Sequence, residues 1–121
     1  MSADPYSATV RELFATTRHA GDLAGEESVS TTDQDVRIRL SAGVEDGVIT
    51  TMRFRAWGCP HLIAAAEAAC AALEGSAAAG LVDWAAADLM ENLPVPVEKT
   101  GRILVLEDTV RSLGQALCGR I

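Results

Sequence analysis

The chain has 121 residues, enough for one domain with a single core, and its formal net charge is −7. That acidity excludes the electrostatic footprint of a DNA- or RNA-binding protein, and no apolar run reaches the roughly 18 residues of a membrane span. Hydrophobic residues make up 49% of the chain but aromatics only 4%, so the core is built of Ala, Val, Leu and Ile and depends on close helix approach.

The opening Met1-Ser2-Ala3-Asp4-Pro5 lacks the basic start and apolar stretch of a signal peptide, so a soluble cytoplasmic protein is expected. Residues 6–17 read as a first helix. Tyr6, Val10, Leu13 and Phe14 recur at helical spacing, with Asp4 or Ser7 as N-cap. His19-Ala20-Gly21-Asp22 reads as a turn. Residues 21–32, rich in Gly, Ser, Thr and acid, read as a loop with room for a short strand around Ser28 to Ser30.

Val36, Ile38 and Leu40 then alternate with Arg37, Arg39 and Ser41, the pattern of a half-buried strand with the second set outward. Glu45-Asp46-Gly47 is a turn. Residues 48–57 alternate again, Val48, Thr50, Met52, Phe54 and Ala56 on one face, Ile49, Thr51, Arg53, Arg55 and Trp57 on the other. The connection is too short for a parallel crossover, so the two strands form an antiparallel hairpin, and its paired arginines read as a solvated face.

Pro60 suits the first helical position, which makes Cys59 the N-cap. The helix that follows, to Glu74, carries Ile63, Ala66, Cys70 and Leu73 on one stripe, and Gly75 ends it. Residues 80–84 are a connector. Asp88-Leu89-Met90-Glu91 has capping-box spacing for a short helical turn, and Leu93-Pro94-Val95-Pro96-Val97 must be extended. A last helix from about Arg102 to Cys118 places Leu106, Val110, Leu113 and Leu117 on one face, with Gly119 at its C-cap. The fold class expected is α+β: a single domain over residues 1–121, with a small antiparallel sheet of about three strands and helices packed on one face.

The chemistry centres on Cys59. Unpaired N–H groups at a helix start favour the thiolate, the form that binds metal or accepts sulfur. The same residue also suits a small buried plug. His61, two positions on, either approaches a metal held at Cys59 or lies exposed on the first turn. Asp33 and Asp35 either ligate a metal or cap a loop end, and His19 is a turn residue or a more distant ligand. Cys70 and Cys118 fit structural positions. Three cysteines without CxxC spacing indicate neither a disulfide framework nor a zinc knuckle. No phosphate loop, nucleophile elbow or cofactor fingerprint is present, so an enzyme with its own substrate is the least supported class.

In order and spacing the motifs resemble the U-type iron–sulfur cluster scaffold family, the IscU/NifU N-terminal domain group, from Tyr6 to about Leu117. The likeness rests on Tyr6-Ser7-x-x-Val10 with Arg18 and Gly21, on Asp35 leading into a strand, and on the hairpin turn at Gly47. It continues through Arg53-Phe54-x-x-Trp57-Gly58-Cys59, Leu93-Pro94 with Val97, Ile103-Leu104, and Glu107-Asp108. The resemblance implies an IscU/SufE-like fold. It also implies a site where three cysteines, an aspartate and a nearby histidine receive sulfur from a cysteine desulfurase and hold a transient 2Fe–2S cluster or a zinc ion.

Carried over, the second cysteine is Cys59 and the aspartate is Asp35, while Asp33 stands in the first cysteine's place. The family's His-Cys pair falls around Thr100-Gly101-Arg102, where neither residue type occurs. One thiolate with two carboxylates holds a cluster poorly but suits a single zinc or iron ion, with His61 or His19 as a further ligand. What the resemblance implies is therefore a non-enzymatic scaffold or accessory protein of iron–sulfur cluster assembly, working with a cysteine desulfurase or other assembly proteins. Cys59 would be its metal ligand or persulfide acceptor. The cofactor would be a cluster, a single metal ion, or none. The alternatives are a cluster-free interaction module and a SufE-like sulfur-transfer protein.

Overall fold

A two-residue turn, Asp46-Gly47, organises the fold. Both residues have positive φ, 54° and 77°, and turns of this kind match the twist of the strands they join. In the computed structural model, which describes residues 8–23, 26–33, 36–93 and 100–118, the turn links β2 (Val36–Glu45) to β3 (Val48–Trp57). With β1 (Glu27–Asp33) they form a three-stranded antiparallel sheet in the order β1-β2-β3. Among the described residues the α-helices are α1 (Ala8–Ala15), α2 (Pro60–Leu73), α3 (Ala87–Asn92) and α4 (Thr100–Cys118). α2 packs against β3 and α4 against β1 and β2, while α1 lies on α2. This is the α+β architecture, with helices on one face of a small sheet.

The hairpin departs from simple alternation at one point. The register steps from Gly43↔Thr51 to Val44↔Ile49, so Thr50 is an extra, bulged residue whose hydroxyl donates to the Gly43 carbonyl at 3.2 Å. The bulge reverses the phase of the strand. Ile49 is fully buried and Val48 is 40% exposed, the opposite of their expected faces, while Met52 and Phe54 face the core as expected.

β1 is a full seven-residue strand where the sequence indicated a short one inside a loop. It is an edge strand of Ser and Thr with no fully buried residue, so no apolar alternation marks it. Ser41, expected outward, is buried. The chain leaves β3's free edge at Gly21, whose N–H donates to the Phe54 carbonyl at 2.7 Å, and must reach β1 at the other side of the sheet. On the way Asp22 binds Arg39 and Arg55, and the Glu26 carboxyl carbon comes to 3.4 Å from where a Gly43 Cβ would lie. These two contacts flank Ser41 along β2, at Arg39 and at Gly43.

α2 is buried well beyond the single expected stripe, His61, Leu62, Ala64, Ala65, Glu67 and Ala69 all being enclosed, because α1, β3 and α4 pack round it. Ile63 is only half-buried, and Phe14 of α1, expected inward, is 45% exposed. Residues 78–83 form a 3₁₀ turn seated on Gly114 of α4. The capping box at Asp88 does not form. α3 starts after Ala86, whose N–H donates to Glu107 Oε1 at 2.9 Å. α4 buries Leu106, Val110, Leu113 and Leu117 as expected. The expected roles of Asp4, Tyr6, Ser7, residues 94–97 and Gly119 lie outside the described residues. Among the described residues no helix is long and apolar enough to cross a membrane.

Candidate functional site

The end of β3 turns into α2 through Gly58, and the turn is tight. A Cβ on Gly58 would lie 2.7 Å from Leu62 Cδ2 and 3.1 Å from Val36 Cγ1. Cys59 follows as the N-cap, with φ −79° and ψ 163°, and Pro60 opens the helix. The Cys59 carbonyl accepts from the Leu62 and Ile63 amides at 3.0 and 3.2 Å, so the backbone, not the thiol, begins the helix.

The thiol itself is half-buried. Burial pushes its pKa up, but the Leu62 and His61 amides and the Arg102 guanidinium from the first turn of α4 outweigh burial and hold it below the ordinary cysteine value. Arg102, to which sequence reasoning gave no role, places a cation beside the Cys59 thiol.

The other expected site residues divide. His61 is only 3% exposed, against the exposed first-turn alternative. Asp33 ends β1 in an exposed position opposite Val36, which packs on Gly58, so Asp33 lies at the same end of the fold as Cys59. Asp35 is outside the described residues. Among the described residues no group of three or more His, Cys, Asp and Glu is arranged to hold a metal ion. Cys70 is buried, and burial together with Glu67 and Glu74 raises its thiol far above the ordinary value, while Cys118 is exposed at the end of α4. All three thiols are free.

A second polar cluster sits away from Cys59. The His19 backbone N–H donates to Glu67 Oε1 at 2.8 Å, and its ring meets Glu67 through Nδ1 and Glu74 through Nε2. Glu74 in turn accepts from the Met52 amide at 2.8 Å and from Arg53 at 2.9 Å. His19 is thus a bridge, not a bare turn residue. The sequence does carry a signal for it: two acids seven residues apart, one inside a mostly apolar helix and one at its C-cap, call for a partner.

Comparison with known proteins bears on the whole chain. A family profile described as NifU-like N terminal domain matches residues 5–113. No curated protein sequence matches. Among solved structures, a nitrogen-fixing NifU-like protein (N-terminal) from Brucella abortus superposes with a TM-score of 0.74 at 15% identity, covering 95% of each chain. A putative iron–sulfur cluster assembly scaffold protein for the SUF system from Fervidobacterium islandicum gives a TM-score of 0.57 at 12% identity, covering 87% of this chain and 81% of that one. At these identities the structural likeness speaks for the fold.

Proposed function

Because the chain belongs to the NifU-like N-terminal domain family, we propose that it serves iron–sulfur cluster assembly as an accessory protein carrying sulfur on Cys59. One observation supports this reading above the others: the Cys59 thiol stands at a helix N-cap with the Arg102 guanidinium beside it, which lowers its pKa despite partial burial. The thiolate is the nucleophile of sulfur exchange.

The step is a transfer between sulfurs. The Cys59 thiolate attacks the outer sulfur of a donor persulfide, and a new S–S bond forms on Cys59. The donor's own S–S bond breaks, and the electron pair leaves on the donor thiolate. No external oxidant or reductant enters. A cysteine desulfurase is the donor that fits this chemistry, and Arg102 remains as counter-charge to the persulfide anion.

A cluster is cargo that these residues suit poorly. Iron–sulfur clusters are held mostly by thiolates, and here one thiolate faces a fixed cation where a further ligand would be required. A single zinc or iron ion on Cys59, Asp33, Asp35 and His61 is the second reading. The placement of Asp33 at the Cys59 end of the sheet favours it, and the charge of Arg102 opposes it.

The test is anaerobic incubation with a cysteine desulfurase and cysteine, followed by intact-mass and peptide mass spectrometry. One added sulfur on Cys59, absent in Cys59→Ser, is the expected result. Equal sulfur uptake by Cys59→Ser contradicts the reading, as does a stable visible chromophore after reconstitution with iron and sulfide.

A further inference from the structure

The free edge of β3 is closed almost along its whole length. Near the hairpin, the Gly47 and Ile49 carbonyls accept from Ala78 and Gly75, and the Ile49 N–H donates to Ser76 at 2.9 Å. In the middle, the Met52 N–H is taken by Glu74, and both backbone groups of Phe54 are taken by His19 and Gly21. Antiparallel strands alternate the direction of their backbone groups, so the N–H and C=O of Ala56 point to this same edge. Among the described residues nothing pairs with them. That single open step lies directly before Trp57 and Cys59.

A groove of about 390 Å³ runs beside it, between Thr17, Gly21 and Ile63 on one side and residues 55–57 on the other. Its rim is aromatic and basic. Trp57 is 49% exposed, and the Arg37 guanidinium lies 5.0 Å from its ring centre. Arg39 and Arg55 share the single carboxylate of Asp22. Among the described residues, three guanidinium groups against one carboxylate leave a local positive surplus on a chain whose net charge is −7.

We propose that an extended, acidic segment of a partner protein docks here as a short fourth strand. Its main chain pairs with Ala56, an apolar side chain enters the groove over Ile63, and a carboxylate meets Arg55 or Arg37. Main-chain pairing supplies affinity in such strand addition, and the pockets and charges supply selectivity. This docking goes beyond the sulfur-carrier reading and stands without it, since none of its contacts uses the Cys59 thiol.

A blocked heptapeptide of alternating glutamate and valine, with a lysine–valine twin, is titrated at low salt into the isotope-labelled full chain. The acidic peptide is expected to shift the Gly21, Ala56 and Trp57 amides, to slow hydrogen exchange at Ala56, and to weaken about tenfold with Arg55→Glu. Arg37→Gln is read in its place if Arg55→Glu unfolds. Cys59→Ser is expected to bind as the wild type does, which separates this result from the fate of the sulfur reading. The proposal is overturned by absent shifts, by equal binding of the lysine twin, or by shifts on the arginine face with unchanged Ala56 exchange.

Discussion

The Nε2 of His19 lies 2.9 Å from Glu74 Oε1, and because the same ring also meets Glu67, one imidazole joins the segment after α1 to two turns of α2. The consequence is a stability that depends on pH from both sides. Burial lowers the His19 pKa, but the two carboxylates outweigh it and the net shift is upward from 6.5. Burial raises that of Glu74, but the Met52 amide, His19 and Arg53 outweigh it and the net shift is downward from 4.5. His19 therefore contributes fully below its unfolded value and is lost as pH rises through its higher folded value. Glu74 contributes fully above its unfolded value and is lost as pH falls through its lower folded value. Both contributions are complete between 4.5 and 6.5.

His19→Gln is expected to cost about 1–3 kcal/mol within that window, since it leaves a buried carboxylate short of a partner. Urea midpoints at about pH 5.5 and pH 8.5 read the effect. The wild type loses stability between the two values, and the variant loses much less. An equal loss in both proteins would assign the pH dependence to other groups.

Gly114 is where α4 meets the 3₁₀ turn. A Cβ there would lie 2.7 Å from Leu81 Cβ and 2.8 Å from the Val82 backbone nitrogen, neither of which is the far end of a flexible side chain. Alanine gains about 1 kcal/mol of helix propensity but must push backbone aside. Gly114→Ala is expected to destabilise by about 2 kcal/mol net, measured by urea denaturation. Gly75→Ala, with φ +86° but open space around it, is expected to cost about 1 kcal/mol from backbone strain alone.

Glu107 takes the place of an absent helix cap. Its carboxylate accepts from Ala86 N–H, while Arg111, one turn on, donates to the Trp84 carbonyl at 2.8 Å. Glu107→Ala is expected to cost about 1–2 kcal/mol and to speed hydrogen exchange at Ala86, with Glu107→Gln retaining most of the protection. Unchanged exchange at Ala86 in the alanine variant would contradict this role.

The parts of the fold legible in the sequence are those with a local cause. Alternation gave β2 and β3, Asp46-Gly47 gave the turn, and Cys59-Pro60 gave the start of α2. The illegible parts depend on tertiary partners. β1 is a polar edge strand held by its pairing with β2 and by α4 packed on it, neither of which its own sequence shows, and the phase of Ile49 depends on a bulge that no pattern marks. Ser41 is buried although its alternation points outward, and α3 starts on a glutamate from α4. The site divides in the same way. Cys59 was visible from its place before Pro60, but Arg102 comes to it only when α4 packs, forty-three positions later in the chain.

The central claim is that Arg102 and the helix start lower the pKa of the Cys59 thiol despite its partial burial. The most direct measurement is the rate of Cys59 alkylation against pH, resolved from Cys118 by peptide mass spectrometry, in the wild type and in Arg102→Gln. The wild-type midpoint is predicted to lie below the ordinary cysteine value and to move up in the variant, with the fold retained. A midpoint at or above the ordinary value, unmoved by Arg102→Gln, would contradict the account.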